Sequence, residues 1–133
     1  FKLLKEINKQ AQKVNKVVNC LLQVHIAQEE TKFGFNQEEL DTLFANKELK
    51  DLHNIKIKGL MCMASFTDDL QKIGGEFAQL KKLFDQYRPF ANHNTEFTTL
   101  SMGMSSDYKI AIEEGSTMVR IGSLLFGART YQD

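Results

Sequence analysis

The chain has 133 residues with 17 basic and 17 acidic side chains, so its formal net charge is zero. This balance gives no electrostatic reason to expect nucleic acid or an anionic membrane as a partner, and no apolar run approaches the ~20 residues of a spanning helix. Cys20 and Cys62 lie in apolar runs, which predicts two buried thiols in a reducing cytoplasm and no disulfide framework. The length fits one domain.

The first half of the chain reads as a helix, a strand, a second helix and a second strand. Residues 1–15 carry apolar side chains at helical spacing, which predicts a helix. Because the sequence lacks an initiator Met and an apolar signal segment, we expect a fragment that begins inside this helix. Residues 17–26 favour a strand buried on both faces. Asn36 and Glu39 predict a capping box at the start of the next helix. Residues 55–64 alternate and then become wholly apolar, as in a second strand.

The second half repeats the strand–helix order. Residues 67–88 predict a helix that bends or restarts at Gly74–Gly75, and Pro89 stops it. Residues 96–104 predict a third strand, 106–114 a helix capped by Ser105 or Ser106, and 117–127 a fourth strand. Such alternation indicates an α/β fold with parallel strands and crossover helices. Four strands allow half of a TIM-type (β/α)8 barrel or a small open sheet.

Small polar residues follow the last two predicted strands, where parallel α/β folds bind ligands. Gly122 allows close backbone approach, and Ser123 adds a hydroxyl beside exposed N–H groups. Ser101 and Ser105 come from the neighbouring strand end, and Arg120 lies among apolar residues, where its charge needs a partner. The pattern is typical of a phosphate site, although a plain turn with a cap, and an Arg120 paired to a structural carboxylate, remain open.

Other reactive side chains show no convincing pattern. His25, His53 and His93 lack metal-ligand spacing, and Cys62 has no His or acid nearby in sequence that indicates a thiol nucleophile. Lys56 and Lys58 read as solvated side chains. The methionines favour core packing over a special site; they are Met61, Met63, Met102, Met104 and Met118.

The segment TLSMGMSSDYKIAIEEGSTMVRIGSLLFGAR resembles the C-terminal signature of the YggS-type family of pyridoxal phosphate homeostasis proteins, and IKGLMCMA and LLQVHIAQEETKFGF extend the resemblance upstream. The family shares the alanine-racemase N-terminal barrel fold. The resemblance implies strands five to eight of a barrel, with residues 1–133 as one partial domain. It further implies binding of pyridoxal 5′-phosphate (PLP), a cytoplasmic role in vitamin B6 and amino-acid homeostasis, and no robust catalysis.

Carried over by motif, the resemblance assigns cofactor contacts. Ser101, Gly122 and Ser123 would contact the phosphate, with Ser105 nearby. Arg120 would face the pyridine nitrogen and keep it unprotonated, which weakens the ring as an electron sink. The resemblance also places two methionines near the cofactor, Met61 and Met63. The family's Schiff-base lysine precedes this chain, so we assign none and expect no firm cofactor binding by the chain alone.

Two other functions stay open from the sequence. A racemase-like PLP enzyme would need an acid/base tyrosine, and the chain offers Tyr87, Tyr108 and Tyr131. An interaction domain without a ligand is the second alternative. A half-barrel also leaves two unpaired strand edges and an uncovered apolar face, which predicts self-association.

Overall fold

A computed structural model describes residues 1–27 and 33–128 as alternating helices and parallel strands. Residues 28–32, between the first strand and the second helix, and residues 129–133, which include Tyr131, lie outside the described residues. Two 3-10 turns, Lys47–Asp51 and Arg88–Phe90, were not predicted. The main elements are α1 (Lys2–Lys13), β1 (Val18–Gln23), α2 (Gln37–Ala45), β2 (Ile55–Met61), α3 (Leu70–Tyr87), β3 (Thr95–Met104), α4 (Tyr108–Glu113), β4 (Met118–Arg120) and α5 (Ser123–Phe126).

The four strands form one parallel sheet in the order β1-β2-β3-β4. A single apolar cluster joins one face of this sheet to the helices. On β2, for example, Ile55 and Ile57 are buried in that cluster, while the alternate residues Lys56 and Lys58 both bind Glu96 Oε2 at 3.0 Å. The sequence alternation therefore predicted the inward side of β2 correctly, but the two lysines share a carboxylate instead of being simply solvated.

Local capping signals located the helices well. The Asn36–Glu39 capping box is present at the start of α2, and Gly115, at φ 106°, follows α4 in the left-handed conformation that glycine favours. The predicted restart at Gly74–Gly75 is wrong, because α3 runs continuously through both glycines, while the alternative of a bend there stays a prediction. The predicted serine cap of α4 is also wrong, since Asp107 occupies that position.

Two strand predictions need correction. β1 is not buried on both faces, because it is an edge strand with Val18 and Asn19 exposed. The fourth strand does not extend to residue 127, because it ends at Arg120 and the apolar run after it forms α5. Among the described helices, none has the length and apolar character that crossing a membrane requires.

Candidate functional site

Arg120 ends β4 and reaches over the sheet to β2. Its Nη2 donates a hydrogen bond of 2.5 Å to the Cys62 carbonyl oxygen. Burial lowers the pKa of the Arg120 guanidinium, because desolvation disfavours the charged form. The Arg120 Nε is buried and has no hydrogen-bond partner among the described residues. The salt bridges of this part of the chain do not include Arg120, so the structural carboxylate that the sequence left open is not found in it.

Ser105 joins the end of β3 to the turn after β4. Its Oγ accepts hydrogen bonds from the backbone N–H groups of Gly122 at 3.2 Å and Leu124 at 3.1 Å. These two bonds use the lone pairs of the hydroxyl and leave its own hydrogen available for donation. The structure thus brings together Ser105 and Gly122, two of the residues predicted to contact a phosphate. It also corrects the prediction that the Gly122 N–H is exposed for an anion, because this N–H is paired with the Ser105 hydroxyl inside the protein.

Gly122 is not required by the packing of the described chain. Its φ is −122°, outside the left-handed region that favours glycine, and a Cβ added there would meet no atom within 4 Å. The space in front of this glycine is therefore open. Ser123, which begins α5, is exposed beside it.

Ser101 lies apart from this turn. It is 1% exposed within β3, paired with Met61 of β2 and Met118 of β4, and its carbonyl oxygen accepts the Cys62 N–H at 3.1 Å. Ser105, four residues along the chain, is the serine that reaches the Gly122 turn. The SMGMS motif thus brings its second serine, not its first, to the turn after β4.

The methionines divide between the core and the rim of the sheet. Met102 is fully buried and packs in the core, whereas Met63 is 43% exposed. Met63 contributes to a cavity of about 270 Å³ at the ends of β1 and β2. Core packing therefore describes Met102 but not Met63, Met104 or Met118, which are all exposed.

A buried carboxylate near the end of β2 was missed by the sequence reading. Glu76 of α3 is 6% exposed and accepts hydrogen bonds from the Ser65 N–H at 2.6 Å and the Ser65 Oγ at 2.7 Å. The signal was present, because Glu76 falls at helical spacing between Ile73 and Leu80 on the apolar stripe of α3.

The cysteines and histidines show no reactive cluster. Burial raises the pKa of the Cys62 thiol to about 12, which leaves it protonated and a poor nucleophile at neutral pH. The rings of His53 and His93 lie with their centres 5.2 Å apart and are tilted by 32° relative to each other. Residues 1–27 and 33–128 contain no group of three or more metal-ligating side chains placed to hold an ion.

Comparison with known proteins gives related sequences over nearly the whole chain. A pyridoxal phosphate homeostasis protein of Aquifex aeolicus is 41% identical over 129 residues, which cover 97% of this chain and 55% of the relative. The protein of the same name from Pasteurella multocida is 38% identical over 130 residues, covering 98% and 54%. The chain therefore spans about half the length of these curated relatives.

Solved structures agree with the sequence relatives. PipY of Synechococcus elongatus without PLP matches with a TM-score of 0.85 and 29% identity over 96% of this chain and 58% of that chain. PipY with PLP bound matches with a TM-score of 0.81 and 27% identity, covering 96% and 57%. The four parallel strands thus correspond to half of a barrel. The model of the alanine racemase N-terminal domain family matches residues 1–130, and the chain belongs to that family.

Proposed function

We propose that this chain is the C-terminal half, strands five to eight, of a PLP-binding barrel, with residues 1–133 forming one partial domain. The whole protein would act in vitamin B6 and amino-acid homeostasis in the cytoplasm, without robust catalysis. The name shared by the homeostasis-protein relatives and the PLP-bound PipY structure support this assignment. The resemblance of the shared motifs to the family's C-terminal signature supports this strand numbering.

The observation that carries the proposal is the buried Arg120 Nε, for which residues 1–27 and 33–128 supply no acceptor. A buried N–H that lacks a partner is costly, so this donor favours a ligand with a lone pair at that point. The unprotonated pyridine nitrogen of PLP is such an acceptor. A guanidinium keeps its own proton because its pKa lies far above neutrality, so the ring nitrogen stays unprotonated. PLP supplies an electron-accepting ring when bound, and Arg120 would weaken that property.

The turn after β4 fits the phosphate of the same ligand. Ser105 holds the N–H groups of Gly122 and Leu124 through its Oγ, and its hydroxyl hydrogen would donate to a phosphate oxygen. The open space at Gly122 lets an anion approach the backbone, with Ser123 exposed beside it. The proposed cofactor contacts are therefore Ser105, Arg120, Gly122 and Ser123. Ser101, Met61 and Met63 are proposed from the shared motifs alone.

No residue of this chain is assigned as a covalent anchor. The lysine that holds the cofactor in the family would belong to the preceding half, so we expect weak and reversible binding by this chain. The racemase-like alternative receives less support. Tyr87 is buried and its hydroxyl bonds to Asp41, and Tyr108 begins α4.

Calorimetric titration with PLP and with pyridoxal tests the proposal, because the two ligands differ only by the phosphate. We expect PLP to bind more tightly than pyridoxal. Ser105→Ala should lower the affinity for PLP about tenfold and leave the affinity for pyridoxal almost unchanged. Ser106→Ala is the matched control, since Ser106 is exposed in the same loop. Equal binding of the two ligands, or an unaffected Ser105→Ala variant, would contradict the phosphate site.

A further inference from the structure

Glu76 is a buried ionisable side chain that the proposed binding site does not use. Its carboxylate belongs to none of the salt bridges formed within the described ranges. Burying a carboxylate is unfavourable unless hydrogen bonds replace its hydration. Both oxygens of Glu76 receive such bonds from one residue, Ser65, through its backbone and its hydroxyl. The pair therefore ties the loop between β2 and α3 to the body of α3.

This loop begins at the residue that holds Arg120. The Cys62 N–H is fixed by the Ser101 carbonyl of β3, and the Cys62 carbonyl accepts from Arg120. Beyond that carbonyl, Met63 and Ala64 make no hydrogen bond within the described chain. The next anchor along the backbone is the Ser65 N–H on Glu76, so the direction of the Cys62 carbonyl depends on this second anchor.

The charges of Arg120 and Glu76 both act on the Cys62 thiol. The Arg120 charge lowers and the Glu76 charge raises the pKa of the Cys62 thiol, although burial dominates its net upward shift. Cys62 thus lies within electrostatic range of both the guanidinium and the carboxylate. The carboxylate forms no salt bridge with Arg120 and is not among the charges that shift the pKa of the Arg120 guanidinium, so its contribution is to hold the loop.

We propose that Glu76 is a positioning residue for Arg120: through Ser65 it fixes the loop after β2 and so holds the Cys62 carbonyl where the guanidinium binds. This inference rests on the proposed PLP site, because the role given to Glu76 is to orient the Arg120 Nε towards the ligand. Glu76 itself touches no ligand.

The Nε–H signal of Arg120 in proton–nitrogen NMR spectra reports this positioning without any cofactor. Arg120→Lys identifies the signal by removing it. We expect Glu76→Ala to move the signal and speed its hydrogen exchange about tenfold, because the carbonyl anchor loosens. Glu76→Gln retains an oxygen for the Ser65 N–H and an amide for the Ser65 hydroxyl, so it should keep the signal near its wild-type position.

Cofactor titration supplies the second readout. Glu76→Ala should weaken PLP binding about tenfold, Ser65→Ala should do so to a smaller extent, and the exposed Glu113→Ala control should have no effect. If wild type binds no PLP but its Nε–H signal responds to Glu76→Ala, the positioning role stands and the proposed function fails. If wild type binds PLP and Glu76→Ala, folded by circular dichroism, changes neither readout, the positioning role is overturned.

Discussion

The Arg120 guanidinium donates to the Cys62 carbonyl oxygen at 2.5 Å, and the strand between them in the sheet is β3. An uncharged acceptor fixes the direction of an arginine without neutralising it. The charge and the unpartnered Nε of Arg120 therefore remain for another group. This arrangement differs from a structural ion pair and agrees with the proposed role of Arg120 in binding a ligand.

Replacing Arg120 by Met separates binding from stability. A half-buried charge without an ionic partner adds little stability, so we expect Arg120→Met to change the free energy of unfolding by less than about 1 kcal/mol or to raise it. PLP affinity should fall by at least about tenfold, since the donor to the ring nitrogen is lost. Urea unfolding and calorimetric titration measure the two effects. A variant that loses stability yet binds PLP as tightly as wild type would show that Arg120 has a structural role and does not contact the cofactor.

Alanine substitutions should have different effects at Gly122 and Gly59, because a Cβ has room at the first position and none at the second. A Cβ at Gly122 meets no protein atom within 4 Å, whereas at Gly59, with φ +153°, it would lie 1.7 Å from the Thr99 carbonyl oxygen. Gly122→Ala should therefore leave the melting temperature nearly unchanged but weaken PLP binding about tenfold. Gly59→Ala should cost about 1–3 kcal/mol or more in folding. Unaltered PLP binding by Gly122→Ala would argue against close approach of the phosphate.

The sequence correctly predicted those helices and strands whose determining residues lie within a few positions of one another. The Asn36–Glu39 capping box is an example, because both partners of both hydrogen bonds lie within one helical turn. The buried and polar sides of β2 followed from alternation for the same reason. Parallel order followed from the succession of strands and helices, because parallel strands need crossovers.

The predictions that failed concern residues whose conformation depends on contacts between distant parts of the chain. The apolar run after Arg120 resembles a strand continuation, but Ser105 binds the Gly122 and Leu124 N–H groups and turns the chain into α5. The same contact favours Ser105 over Ser101 at the candidate phosphate site. Glu76 was overlooked because its partner Ser65 lies 11 residues away, in the loop before α3. The contact between Arg120 and Cys62 likewise joins residues that are 58 positions apart in the chain.

The Cys62 thiol predicts a loss of stability in mild alkali. Burial raises its pKa from 9.0 to about 12, so above pH 9 the unfolded chain releases a proton that the folded chain keeps. The folded state then binds more protons, and stability falls as pH rises, by up to about 1.4 kcal/mol per pH unit. Urea unfolding between about pH 8.5 and 9.5, where an unfolded tyrosine with its ordinary pKa of 10.0 is still mostly protonated, should show a shallower slope for Cys62→Ala. An identical slope in that variant would assign the loss to other groups.

The two cysteines should also differ towards a thiol reagent. Cys20 is partly exposed and Cys62 is buried, so at neutral pH we expect one thiol to react readily and the second only on unfolding. Ellman titration of wild type and Cys20→Ala measures this difference. Fast reaction of the Cys20→Ala variant without denaturant would show that the end of β2 opens more easily than its burial indicates.

The unpaired edges of the sheet predict that the chain associates with itself. β1 and β4 each have a neighbour on one side only, and they expose Val18 at 38% and Met118 at 48%. Parallel pairing of one copy's β4 with another copy's β1 would satisfy both edges. Sedimentation velocity should show oligomers that increase with concentration, and Met118→Lys should shift the population towards monomer because a charge at the edge opposes pairing. Leu70→Lys, at an exposed position that begins α3, is the control that should leave association unchanged. A wild-type chain that stays monomeric at every concentration would contradict edge pairing.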